Sequence, residues 1–161
     1  MHSLIYQIST KAVNADDLLD TDNITEGEGV SFGYIYESGD EHRNNDIIDL
    51  VESCLPTGMF SINDDLTLTF NGGAEQWRSS YLARVKEAAE SMTEANIMDY
   101  AGPVYNIQKA ILNPLNTDLL FVMDFGAGMG IAEQSREFMR FVMMLKAGDT
   151  IHIGSILGYH R

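Results

Sequence analysis

The stretch MFSINDDLTLTF, residues 59–70, and the two helical patterns that follow it limit the possible folds more than any other feature. Two β-rich runs flank Asn63-Asp64-Asp65, residues that tolerate tight-turn geometry, so the stretch is expected to be a hairpin. Asn71-Gly72-Gly73 then opens a helix over AEQWRSSYLARVKEAAESM, where Trp77, Tyr81, Val85, Ala88 or Ala89, and Met92 step by three and four. That pattern breaks at Gly102-Pro103. Pro103 suits a first helical turn, and Val104, Ile107 and Ile111 form a short stripe before Pro114. A hairpin followed by two consecutive helices is not the βαβ rhythm of a doubly wound parallel sheet.

The remaining segments agree. Residues 3–9 alternate as a strand with Leu4, Tyr6 and Ile8 on one face. Residues 12–29 read mostly as acidic loop, with a short helical turn that Asn14 could cap. Residues 30–37 place Val30, Phe32, Tyr34 and Tyr36 at period two, a strand with one apolar face. Residues 44–56 form a helix capped by Asn44 or Asn45 and stopped by Pro56, with Ile47, Val51 and Cys54 or Leu55 on one face. Residues 118–124 are a buried strand. Ser135 can cap a helix whose broad stripe, Phe138, Met139, Phe141, Val142, Met143 and Leu145, predicts deep burial. A last strand begins at Thr150. The expected fold is α+β: one domain over 1–161, with a mainly antiparallel or mixed sheet and about four helices packed on it.

At 161 residues the chain can bury a core without metal or disulfide staples. A single cysteine, Cys54, excludes an internal disulfide and a thiolate cluster. The longest apolar runs, LLFVM and FVMML, are too short to span a membrane, and the first residues lack a signal-peptide pattern. A soluble, cytoplasmic protein is expected.

The charge is unevenly placed. The formal net charge is −14. Residues 1–65 hold fourteen acids against Lys11 and Arg43, a formal −12, and residues 66–161 hold ten acids and eight bases, a formal −2. Such a field repels nucleic-acid phosphates and acidic membranes and attracts basic partners. Asp16, Asp17, Asp20, Asp22, Glu26, Glu28, Asp40 and Glu41 are the candidate interaction surface.

A second candidate site is the glycine loop. In FVMDFGAGMG an apolar run ends in an acid and runs into Gly-x-Gly-x-Gly. The pattern resembles the first motif of the Rossmann-like methyltransferases. That resemblance implies a strand–loop–helix in which Asp124, Gly126, Gly128 and Gly130 form the loop around a nucleoside ligand. It covers about ten residues. Such a domain needs further βα units and an acid near the end of the next strand. Only 31 residues follow Gly130, and the last strand ends in Tyr159, His160 and Arg161. The residues therefore favour a glycine-rich turn between a buried strand and a buried helix, and no cofactor is expected.

The other constellations carry less. Asp20 and Asp22 have the opening spacing of an EF-hand loop, but Ile24, Thr25 and Ser31 stand at three positions the motif requires otherwise. In a regular last strand His152 and His160 would share a face more than about 25 Å apart, too far to ligate one ion. No metal site is expected. Cys54 reads as a structural residue, and Ser155 lacks a nucleophile-elbow context. Tyr34, Tyr36, Trp77 and Tyr81 read as packing residues, because nucleic-acid stacking platforms have basic neighbours. The expected function is a non-enzymatic acidic interaction module, one form of which imitates nucleic acid and inhibits a basic protein, without binding nucleic acid itself. The alternatives are a small ligand-binding or methyltransferase-like domain using loop 124–130, and a structural subunit of a homo-oligomer that pairs strand faces such as 30–37.

Overall fold

The computed structural model describes residues 3–123 and 128–161. Among these described residues the fold is α+β, with four helices and a mixed six-stranded sheet. In chain order the elements are strands β1 (Ser3–Ser9), β2 (Ile24–Glu26) and β3 (Tyr34–Glu37), and helix α1 (Arg43–Asp49). The hairpin strands β4 (Phe60–Ile62) and β5 (Leu68–Phe70) precede helices α2 (Ala74–Glu90) and α3 (Pro103–Leu112). Strands β6 (Leu120–Met123) and β7 (Gly130–Ala132), helix α4 (Ser135–Val142) and strand β8 (Thr150–His160) complete the chain. The main sheet runs β4-β5-β8-β1-β6, with β3 also on β8. Strand β1 is antiparallel to β8 and parallel to β6. Strands β2 and β7 make a separate parallel pair, tied to β6 by a bridge between Phe121 and Glu133.

Both faces of the central strands are buried, which suits their near-continuous apolar runs. On one face Tyr6, Ile8, Phe121, Ile151, Ile153 and Ile156 meet Ile47 and Leu50 from the α1 segment, Trp77 from α2, and Phe138, Met139 and Val142 from α4. Phe138 stacks on Phe121 with ring centroids 4.5 Å apart, and it also approaches Phe60 and Trp77. On the other face Ile5, Leu120, Val122, Leu157 and Tyr159 are covered by Leu19, Ile24, Val30 and Ala132. The acidic N-terminal loop is therefore one layer of a core, held by its few apolar residues.

Several boundaries differ from expectation, each for a local reason. Helix α1 begins at Arg43 and widens into a π-turn over Leu50–Cys54, closed by the Leu55 N–H on the Leu50 carbonyl. Asn44 and Asn45 lie inside its first turn, so neither is the cap. Gln134, not Ser135, precedes α4. The buried Ser135 hydroxyl instead donates to the Asn113 side chain and accepts the Leu115 N–H, both at 2.8 Å. Asn14 makes no capping bond; its side-chain amide donates to the Asp17 carboxylate. In the hairpin the left-handed position falls on Leu66 (φ 64°), while Asn63 ties the turn through Thr67 and Thr69. Strand 30–37 is shorter than its period-two pattern. Val30 and Phe32 join the second core, whereas Tyr34 and Tyr36 alternate with Ile35, which belongs to that core, and lie on the opposite face.

One irregularity shapes the rest. Tyr6 faces Ile156 and Ile8 faces Ile153, so two steps along β1 match three along β8. The extra residue makes a β-bulge at Gly154-Ser155. The bulge inverts the parity of β8, so His152 and His160 lie on opposite faces rather than sharing one.

Candidate functional site

Strands β5 and β3 lie end to end along the same edge of β8. Strand β5 pairs at Thr150 and Ile151, and β3 pairs from Leu157 to His160. Residues 152–156 between them have no strand partner on that edge among the described residues. The sheet is notched there. An open edge exposes unpaired carbonyls and amides, which must be satisfied in another way. Arg43, at the start of α1, does so: its Nη1 donates to the Gly154 carbonyl and its Nη2 to the Ile153 carbonyl, both at 2.6 Å. From the β1 side, the buried Gln7 amide accepts the Ser155 and Leu19 N–H groups at 3.0 and 3.1 Å and donates to the Asp17 carbonyl at 2.7 Å. A Cβ on Gly154 would overlap that amide. Glycine at this position is what lets Gln7 reach the bulge.

The notch is the floor of a cleft of about 620 Å³. Its walls are the N-terminal segment Ala12–Asp20, the turn after β3, the start of α1, and the tip of the β4–β5 hairpin. Five carboxylates line it: Asp20, Glu37, Asp40, Asp46 and Asp65. Arg43 and His152 are the basic residues of the lining, and Arg43 is already engaged with the β8 backbone. The Asp46 carboxylate accepts the Ser38 hydroxyl at 3.0 Å, and the Asp46 carbonyl accepts the Tyr6 hydroxyl at 2.8 Å. Burial pushes the Tyr6 phenol far up, so it stays a donor. The Thr67 hydroxyl and N–H hold the Asp65 carboxyl below its usual range, with His152 adding a smaller pull. No hydroxyl in the cleft is hydrogen-bonded to His152 among the described residues. The arrangement supplies negative charge and hydrogen-bond acceptors.

The expected interaction residues divide. Asp20 and Asp40 line the cleft. Asp16, Asp17, Asp22 and Glu41 are exposed outside its lining. Glu26 accepts the Phe32 N–H, and Glu28 pairs with Arg136 at 3.3 Å. Glu37, Asp46 and Asp65 were not singled out from the sequence. Their shared signal is only charge, since Glu37 and Asp46 lie on either side of the turn before α1 and Asp65 lies in the β4–β5 hairpin. The EF-hand-like loop closes on itself, with Asp20 accepting the Asp22 and Asn23 N–H groups. Among the described residues, no group of three His, Cys, Asp or Glu side chains could hold a metal ion. No helix among them is long and apolar enough to cross a membrane.

In the glycine loop, Asp124 and Gly126 lie outside the described residues. Gly128 is exposed, with open space where a Cβ would point. Gly130 is buried at the start of β7, beside Ile24. A strand therefore follows the loop, and the helix waits until Ser135, because the backbone after Gly128 pairs with β2 instead of turning inward. Beyond the loop, Met123, Met129, Ile131, Phe141 and Met144 line an apolar hollow of about 540 Å³ that also holds Glu133. Burial, aided by repulsion from Glu137, pushes the Glu133 carboxyl up. Cys54 is half-buried, and burial pushes its thiol up, away from the thiolate that a nucleophile needs.

No protein-family model, no curated protein and no solved structure matches the chain.

Proposed function

We propose that this protein is a non-enzymatic interaction module that binds a basic segment of another protein in the sheet notch. Its most specific form is an inhibitor that occupies the nucleic-acid groove of its target. One observation carries the reading: five carboxylates from separated segments of the chain meet in one cleft whose fixed cation is engaged with backbone. A single exposed carboxylate–cation contact contributes about 0–1 kcal/mol, so useful affinity requires several together. A focused negative cleft also speeds encounter, and that gain falls with salt.

The test is fluorescence anisotropy with labelled decalysine at rising salt. Three proteins are compared: the wild type, a cleft variant Asp20→Asn/Asp40→Asn/Asp65→Asn, and a control Asp16→Asn/Asp22→Asn/Asp99→Asn of equal net charge. The cleft variant should bind about tenfold more weakly, given about 0.5 kcal/mol for each of the three lost contacts. The control should stay near wild type. Equal weakening in both variants would reduce the cleft to bulk charge and overturn the proposal.

A further inference from the structure

The far half of β3 carries a second feature, which the cleft does not include. Tyr36 lies flat on Gly158: a Cβ there would run into the Tyr36 ring, so only glycine leaves the ring that seat. Tyr34 stacks on His160 with centroids 4.7 Å apart and planes 16° apart, and Tyr36 approaches both rings at about 6 Å. The three rings form a ledge at the sheet edge, with Tyr36 tilted by about 40° to the stacked pair. Tyr34 is 58 % exposed although His160 covers one of its faces. Its other face is therefore open to solvent. Arg161, next in the chain to His160, is paired to Asp118 at 3.7 Å.

The ledge continues into the cleft. Tyr34, Tyr36 and Ser38 follow at alternate positions, and the Ser38 hydroxyl meets Asp46 on α1. Ser38, which lines the cleft, lies about 13 Å from Tyr34 at about 3.3 Å per residue. A short extended peptide spans that distance.

We infer that the outer face of Tyr34, backed by Tyr36 and His160, takes an arginine guanidinium from the same basic partner that fills the cleft. The inference rests on the cleft reading. Charge selects the occupant: in a chain of net charge −14 a cation is attracted to this ring, whereas the phosphates of a nucleic-acid ligand are repelled. Chemistry selects arginine over lysine. The planar guanidinium is weakly hydrated and stacks on an aromatic face, while the compact ammonium holds its water.

The experiment adds labelled decaarginine and oligothymidylate to the decalysine assay and tests Tyr34→Ala and Tyr34→Phe. Removal of the ring should weaken decaarginine about 2- to 30-fold and leave decalysine unchanged, while the Phe variant should bind like wild type. Thermal melts of both variants confirm that the exposed ring was not needed for folding. If Tyr34→Ala leaves decaarginine binding unchanged, the ledge inference falls and the cleft reading stands or falls separately, on its own triple variant. Oligothymidylate binding that disappears in Tyr34→Ala would assign the ledge to a base and overturn the inference.

Discussion

Glu133 shows how little of a residue's chemistry follows from its type. Its backbone joins β7 to β6, and its carboxyl lies against Gly27, beside the methionine-lined hollow that it shares with Glu137 and Arg140. Burial raises its pKa, with repulsion from Glu137 next and attraction to Arg136 opposing. The folded state thus holds the proton more tightly than the unfolded one. Stability from this group is fully present below the unfolded pKa and is lost as pH rises through the folded one. Glu133→Gln should therefore raise Tm at pH 7 and change little below the unfolded carboxyl pKa of about 4.3. Differential scanning fluorimetry at the two pH values reads this. A lower Tm at pH 7 would show that the carboxylate is favourably paired. None of this was legible in the sequence, where Glu133 is one acid after a glycine loop. Arg43 was equally silent: the carbonyls that it holds are more than a hundred residues away.

At the scale of elements, periodicity succeeded where one surface dominates a segment. Strand β1, the hairpin, α2, α3 and α4 stand close to where the apolar spacing puts them; burial of a face fixes β1 and α4, whereas α2 and α3 bury only Trp77 and Ala110 and leave the rest of their stripes half-buried or exposed. It failed where pairing competes with the pattern. Val30 and Phe32 extend the period of Tyr34 and Tyr36, yet the chain crosses between faces at Gly33, whose N–H donates to the His160 carbonyl. The bulge in β8 has no signal beyond a glycine in a strand, and it decides which face His160 occupies. Gly154→Ala should test how firmly the bulge is held. The added methyl must displace the Gln7 amide and its bonds to Ser155, Leu19 and Asp17, at a cost of about 1–3 kcal/mol. Urea denaturation should show that loss for Gly154→Ala and almost none for Ser155→Ala. Equal stability of the two variants would mean that the bulge can relax.

For the whole molecule, the charge asymmetry has an energetic consequence. Most of the excess negative charge lies in residues 1–65, which supply strand β1 and pack on both faces of the sheet. An excess of like charges opposes the compact state. Screening lengths shorten from about 10 Å at 0.1 M salt to about 3 Å at 1 M, so added NaCl should relieve the repulsion. Tm should rise with NaCl at pH 7, by about 2–4 °C for each kcal/mol relieved. A flat or falling Tm would show that the carboxylates are already compensated within the fold.

By itself the sequence determined the α+β class, the main helices and strands, and the amount of charge and its uneven place along the chain. These depend on local spacing and composition, which every copy of the chain carries before it folds. Only the tertiary structure decided that β5 and β3 stop short of each other along β8, that Arg43 fills the opening, and that Asp20, Glu37, Asp40, Asp46 and Asp65 surround it. Which strand ends meet along an edge depends on pairing between segments far apart in the chain. No local period encodes that choice, and the cleft exists only once it has been made.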